Sequence, residues 1–513
     1  CYGHQLLAQS LGGTVSRGEV REYGTARLTI TGTDPLMAGL GDSEQIWMSH
    51  GDTVERLPEG FETIGSTPDC ATAAVSDGKR RIYGLQFHPE VTDTPNGMRI
   101  LDNFLTLCGC KRTWNPEAFL DHIMADVEEK CRGRKVFLLV SGGVDSSVAF
   151  ALLNQALEPS RVLGLHIDNG LMRREESARV MNYMKEHGFD NLRIVDASER
   201  FLQALEGVAD PEKKRAVIGE TFIRVQQEKL TELGLNAEEW ILGQGTIYPD
   251  TIESAGTSHA DRIKTHHNRV EIVVKLMDEG LVVEPLAQLY KDEVRRLGET
   301  LGLPRRLVWR HPFPGPGLGV RLLCSARTRE PLDEHIGREV QDHAGRYGFT
   351  ATVLPVRSVG VQGDGRTYAH PVLLRGKRDW EAMESVSTAI TNAVRGVNRV
   401  VYGIHVEGKA RYRHIEAYMT RERLDRLRTI DDRATELLRE HGQYDDIWQM
   451  PVVLLPLVND SGGECVVLRP IVSREAMTAR FTPLKDPILK GIVDCAKRTD
   501  GIGDVFVDVT HKP

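Results

Sequence analysis

The stretch KVFLLVSGGVDSSVAFALLNQAL (135–157) decides how this chain is read. Its apolar opening is long enough for a buried strand, Gly142 and Gly143 permit a tight turn, and Ser146 opens what reads as an amphipathic helix. Strand, glycine turn and helix N-terminus together make an anion site, because backbone N–H groups and the helix dipole face one point. Ser141, Ser146 and Ser147 add hydroxyl donors, and Asp145 is the carboxylate that would hold a magnesium ion accompanying a nucleotide. The stretch contains no GxxxxGK[ST], so the lysine that reaches terminal phosphates is absent. A pyrophosphate cradle without that lysine suits attack at the α-phosphate, with release of pyrophosphate and formation of an adenylate.

Outward from this loop, apolar β-branched runs alternate with helical stretches through much of the first 310 residues, the pattern of α/β domains built on parallel sheets. Asp168 and Asn169 follow the strand-like RVLGLHID and fall at a strand C-terminus, where open α/β sheets bind nucleotides. Lys213, Lys214 and Arg215 at a helix start, and Lys264, His266 and His267 in a polar segment, are cations that could close over phosphates as a lid. A polar joint at CGCKRTWNPEAF sets a first boundary near residue 112, and RHPFPGPGLG (310–319), too rich in proline and glycine for helix or inner strand, sets a second. The expected domains are therefore 1–112, 113–310 and 311–513. Within the last, α+β in character, VLPVRSVGVQGDGRTYAHPVLLR (353–375) is echoed by LLPLVNDSGGECVVLRPI (454–471), each reading strand, tight turn, strand, helix, strand.

Bulk composition agrees with a multidomain protein of roughly three cores. A net charge of -8 offers no basic stripe for duplex nucleic acid. The 8 cysteines contain no CxxC pair, only Cys108 and Cys110 in CGC, and read as reduced thiols. No apolar run approaches the ~18 residues of a spanning helix, and no signal-peptide core opens the chain, so a cytoplasmic location is expected.

The chain starts CYGHQLLAQSLGG, and GLQFHPEVT (84–92) places His88 and Glu90 at the end of an apolar strand. A histidine and a carboxylate there can serve a cysteine nucleophile as base and orienter. A helix following Cys1, with Leu6, Leu7 and Leu11 on one face and Gly12–Gly13 as its stop, would lower the thiol pKa through its N-terminus.

Three resemblances follow from these motifs. SGGVDSS resembles the pyrophosphate-loop ATPases, which share adenylation and differ in acceptor; the resemblance implies an adenine nucleotide alpha-hydrolase-like fold with ATP held by Ser141, Gly142, Gly143, Val144, Asp145, Ser146, Ser147 and Asp168. CYGHQ with FHPE resembles a class I glutamine amidotransferase, implying Cys1 as nucleophile, His88 as base, Glu90 as orienter, the Tyr2 backbone N–H in the oxyanion hole, and WMSHGD (47–52) with Gln5 at the glutamine pocket. The strands that precede the nucleophile in that family are not in this sequence, so the expectation is the second half of such a domain. HIDNGLMRREE, GQGTIYPDTIES, IKTHHN, EPLAQLYKDEVRRLGETLGLP, RHPFPGPGLGVR, LPVRSVGVQGDGRTY and THKP resemble the glutamine-hydrolysing GMP synthetase family almost continuously. That resemblance implies ATP with Mg2+, L-glutamine and xanthosine monophosphate (XMP) as partners, with XMP bound by Gly315, Pro316, Gly317, Arg357, Gln449 and Lys512. It also implies the long form with a duplicated last domain, as monomer or homodimer. NAD or asparagine synthetase and a nonenzymatic nucleotide-binding protein are the alternatives.

Overall fold

The computed structural model describes residues 1–111, 116–255, 271–326, 332–362, 365–408, 411–460, 462–472 and 480–510. Two compact units form, Cys1–Trp114 and Asn115–Pro513.

In the first, the strands Ser43–Arg56, Thr14–Ile30, Glu62–Ser66, Ala74–Asp77 and Ile82–Leu85 lie side by side in that order. Every pairing is antiparallel, against the parallel pattern expected from sequence, because these strands follow one another through short turns rather than helical crossovers. Leu28, Ile46, Met48, Ile64 and Phe87 pack the core with Ile100 from the helix Gly97–Leu107. The opening helix Tyr2–Ser10 buries His4 and Ala8, whereas Leu6 and Leu11 are exposed. The leucine face read from sequence is thus not the packed one.

In the second unit, the strands Val282–Val283, Trp240–Gly243, Lys135–Leu139, Val162–Asp168 and Leu192–Asp196 form a wholly parallel sheet in that order. The strand first in sequence sits at the centre and later ones are added on both sides, so a topological switch point, where such sheets bind ligands, falls at its C-terminal end. The helix Val144–Ala156 that follows is buried along almost its whole length, including Val148 to Leu153, so it is an internal helix and not the amphipathic one expected.

Further along, Thr350–Val353, Gly365–Arg375, Val397–His405, Ile502–Asp508, Glu464–Leu468, Val452–Val458 and Arg413–His414 make a second sheet in that order, with Ser358–Gln362 paired to Gly365–Arg375. Val397–His405 and Ile502–Asp508 run antiparallel at its centre. On either side the next strand is parallel to its inner neighbour and the one beyond is antiparallel. One apolar core runs from Phe137 to Val509 across both sheets, so the boundary read at residue 310 lies inside this unit. No described helix is long and apolar enough to cross a membrane.

The proline-glycine stretch is held along its length and is no linker. Arg310 pairs with Glu176 at 2.7 Å, and the His311 ring stacks on Tyr444 with centroids 3.9 Å apart and planes 3° from parallel. Phe313 lies between the guanidinium groups of Arg173 and Arg321, 4.5 and 4.9 Å from its ring centre. Gly317 has φ +62°, and a Cβ there would stand 2.2 Å from the Leu171 carbonyl oxygen, which itself accepts from the Leu318 N–H at 2.6 Å. Only glycine fits that approach.

Burial lowers the His311 pKa to about 4, while its Nε2 donates to the Tyr444 carbonyl at 2.9 Å. The unfolded chain therefore binds one more proton than the folded one between pH 4 and 6.5. This contribution is whole above pH 6.5 and is lost as pH falls towards 4. It is worth at most about 3 kcal/mol. Urea unfolding across this range is expected to show a shallower acid decline for His311→Gln, which keeps a donor and removes the titration, than for the parent chain.

Candidate active site

Cys1 is the N-cap of the helix Tyr2–Ser10, whose first internal bond is Gln5 N–H to the Cys1 carbonyl at 3.3 Å. The Tyr2 N–H therefore belongs to the helix end that has no intrahelical acceptor. The Cys1 Sγ accepts from Gln86 Nε2 at 2.9 Å and lies 3.5 Å from the Ser49 carbonyl. Gln5 Nε2 donates to the Asp52 carbonyl at 2.7 Å and to Gln86 Oε1 at 3.3 Å, which orients the Gln86 amide with its nitrogen on the sulfur. His88 Nδ1 meets Glu90 Oε1 at 2.7 Å. Its backbone is pinned on both sides, with N–H to the Trp47 carbonyl at 3.0 Å and C=O accepting from Thr94 Oγ1 at 2.7 Å.

Segment 47–52 thus supplies a carbonyl to the nucleophile, to the histidine backbone and to Gln5. Among the described contacts the sulfur is hydrogen-bonded to Gln86 and Ser49 rather than to His88. Gln86 escaped the sequence reading, although it stands two residues before His88 in the quoted stretch.

Gly142 turns the loop at φ +77°, and Gly143 caps the helix Val144–Ala156. Ser141 Oγ is 3.0 Å from Ser146 Oγ and accepts from the Gly143 N–H at 3.2 Å, while Ser146 Oγ donates to the Gly143 carbonyl at 3.2 Å. These hydroxyls hold the turn in shape. Ser147 is fully buried, and among the described residues its hydroxyl has no hydrogen-bond partner. A Cβ on Gly245 would come within 3.1 Å of the Ser146 backbone nitrogen, so that segment closes tightly on the loop. Asp168 sits on the neighbouring strand and accepts from the Gly170 N–H at 2.9 Å.

Asp145 is bound by Lys291, with Nζ 2.6 and 2.5 Å from its two oxygens. The carboxylate is a hard oxygen donor of the kind Mg2+ takes, and in this structure both of its oxygens face the Lys291 ammonium. Lys291 lies in the quoted EPLAQLYKDEVRR, yet its tie to a residue 146 positions earlier has no local signal. Lys214, expected to close over phosphates as part of a lid, is buried instead; its Nζ donates to the carbonyls of Gly319 at 2.9 Å and Leu322 at 2.7 Å. It anchors the segment after the proline-glycine stretch.

A cavity of about 1210 Å³ opens in the same unit. Arg357 and Gln449 line it, together with Pro312, Phe313 and Pro314; Gly315, Pro316 and Gly317 are not among its lining residues. Its arginines outnumber its carboxylates, which are Asp210 and Asp508. Asp508 bridges Arg399 and Arg469, the latter at 2.8 Å. Burial works against the Asp508 charge, but the two arginines and Thr510 hold its carboxyl below the usual range; burial likewise lowers Arg469 to about 10. The pair of guanidinium groups shares one carboxylate, leaving net positive charge at the wall. Lys264, His266, His267 and Lys512 lie outside the described residues.

Comparison with known proteins matches residues 1–108 to the glutamine amidotransferase class-I family, 117–252 to the NAD synthase family and 341–410 to the GMP synthase C terminal domain. A relative from Leptospira interrogans, named probable GMP synthase [glutamine-hydrolyzing], is 41% identical over 523 aligned residues, covering 100% of this chain and 86% of the relative. The chain belongs to the glutamine-hydrolysing GMP synthase family. A GMP synthase [glutamine-hydrolyzing] from Syntrophomonas wolfei is 45% identical over 426 residues, covering 79% of this chain and 82% of that one. A GMP synthase of this family is an ATP-using ligase with glutamine as its amido donor.

Proposed function

We propose that this chain makes GMP from XMP, ATP and glutamine. Cys1 attacks the glutamine carboxamide carbon; His88, oriented by Glu90, takes the thiol proton and delivers it to the departing ammonia, and water, deprotonated by the same imidazole, then hydrolyses the glutamyl thioester to release glutamate and restore the thiol. The Tyr2 N–H, at the free end of the helix, donates to the oxyanion. At the other site the ATP phosphates lie on the loop 141–147, and the XMP C2 oxygen attacks the α-phosphorus with loss of pyrophosphate. Ammonia then adds at C2 and AMP leaves with that oxygen. Adenylation is needed because an amide-like oxygen is otherwise a poor leaving group.

Asp145 and the neighbouring loop oxygens would hold Mg2+, which when bound supplies charge neutralisation on the ATP phosphates. XMP, an anion with a purine ring, suits the arginine-bearing cavity; Arg357, Gln449 and Lys512 are the residues we assign to it, and Lys264, His266 and His267 are assigned to a lid over the ATP phosphates. The observation that carries this reading is the cationic cavity in the same compact unit as a phosphate loop without the terminal-phosphate lysine.

The strand order of the last sheet, the same outwards on both sides of its central antiparallel pair, supports reading it as two copies of one unit. On that reading the second copy serves in place of a partner's, and a monomer is as well accommodated as a homodimer.

Pyrophosphate release tests the acceptor. With ATP, magnesium and ammonium chloride present, XMP should drive it, and a carboxylate acceptor such as aspartate should not. Release driven by the carboxylate alone would move the chain to the asparagine synthetase reading.

A further inference from the structure

Behind the glutaminase nucleophile lies a second cluster of reactive side chains that the proposed reaction does not use. Glu22 and His50 are direct cross-strand partners on Thr14–Ile30 and Ser43–Arg56, and Cys70 comes from the turn between Glu62–Ser66 and Ala74–Asp77. All three are buried, with 8%, 5% and 1% of their surface exposed. One nitrogen, one carboxylate oxygen and the Cys70 sulfur lie within 4.8 Å of one another, the one such group among the described residues.

Each donor is held from behind. His50 Nδ1 donates to the Asp52 carbonyl at 3.0 Å, since a carbonyl can only accept, which turns Nε2 towards Glu22 Oε2 at 2.9 Å. Glu22 Oε1 accepts from Thr67 Oγ1 at 2.9 Å, and the same hydroxyl accepts from the Cys70 N–H at 2.9 Å, closing the turn that aims the sulfur. A carbonyl behind a histidine and a hydroxyl behind a carboxylate are the outer-shell supports typical of metal ligands. Three backbone-anchored donors of N, O and S type match zinc, whose bonds of about 2.0 to 2.3 Å need donor separations only slightly wider than the His50–Glu22 contact. Sulfur excludes magnesium and calcium as preferred ions.

We propose that Glu22, His50 and Cys70 form a binding site for one thiophilic divalent cation of the zinc type, with three protein ligands and an open fourth position. The site shares the Asp52 carbonyl with Gln5, which positions Gln86 on the nucleophile, so it lies directly behind the glutaminase centre.

Cobalt(II) is the probe, added to the full chain carrying Cys1→Ala, Cys108→Ser and Cys110→Ser so that the nucleophile and the two exposed thiols cannot bind it. Uptake of one cobalt per chain is expected, with a thiolate-to-cobalt charge-transfer band that zinc abolishes on displacement. Adding Cys70→Ser should remove the band, and His50→Gln should weaken binding by about 10-fold or more. Absence of any band, or a band that survives Cys70→Ser, overturns the proposal. Should Cys70→Ser fail to fold, X-ray absorption at the zinc edge of the loaded background protein decides: one sulfur with nitrogen and oxygen neighbours supports the site, and a shell without sulfur overturns it.

Discussion

Cys1→Ala is expected to lower glutamine-driven GMP formation by about 10⁴-fold or more while leaving ammonium-driven formation at the parent rate. In the proposed mechanism Cys1 makes the covalent bond on which glutamine hydrolysis depends, and neither Gln86 nor the Ser49 carbonyl, its hydrogen-bonding neighbours, can replace it. Free ammonia bypasses this step, and the nucleotide loop stands in the other compact unit. The two rates, followed side by side by GMP formation, separate the sites. Equal loss with both nitrogen sources would mean that Cys1 supports the fold of the whole chain and is not the nucleophile.

Gly142→Val carries the second large effect, with the opposite selectivity. At φ +77° a β-branched residue is strained by more than the 1–2 kcal/mol that any L side chain meets in the left-handed region, and its Cβ would contact His166 and Val180 at 3.5 Å. Relief of that strain moves the Gly142 and Gly143 amides away from the phosphate position. Pyrophosphate release is expected to fall about 100-fold with glutamine or with ammonium, as for loss of preorganised backbone donors. Glutamine hydrolysis at Cys1 is the internal control and should persist. Gly142→Ala, sharing the strain without the branched carbon, should fall between.

The loop was legible because everything that makes it is local: an apolar run, two glycines and a helix start within a dozen residues. His88 with Glu90 was legible for the same reason. Misreadings cluster where the partner is distant. Lys214 looks like a solvated cation at a helix start, and only the carbonyls of Gly319 and Leu322, over a hundred residues on, make it internal. At Gly317, where the sequence suggests close approach of a ligand, the structure shows close approach of the Leu171 carbonyl. Leu6 and Leu11 suggested a packed face, but the sheet meets the helix through His4 and Ala8, a choice of face that periodicity alone leaves open. The Glu22–His50–Cys70 cluster had no sequence signal at all, since it exists only through the register of two strands and one turn.

In the proposed reaction ATP is opened at its α-phosphate on the lysine-free loop, with the acceptor oxygen carried away on AMP. XMP labelled with ¹⁸O at C2, turned over with ATP and ammonium chloride, tests it most directly. ¹⁸O is expected in the phosphate of AMP, and none in pyrophosphate. Label appearing in inorganic phosphate, with ADP as the nucleotide product, would place the attack at the γ-phosphate and contradict it.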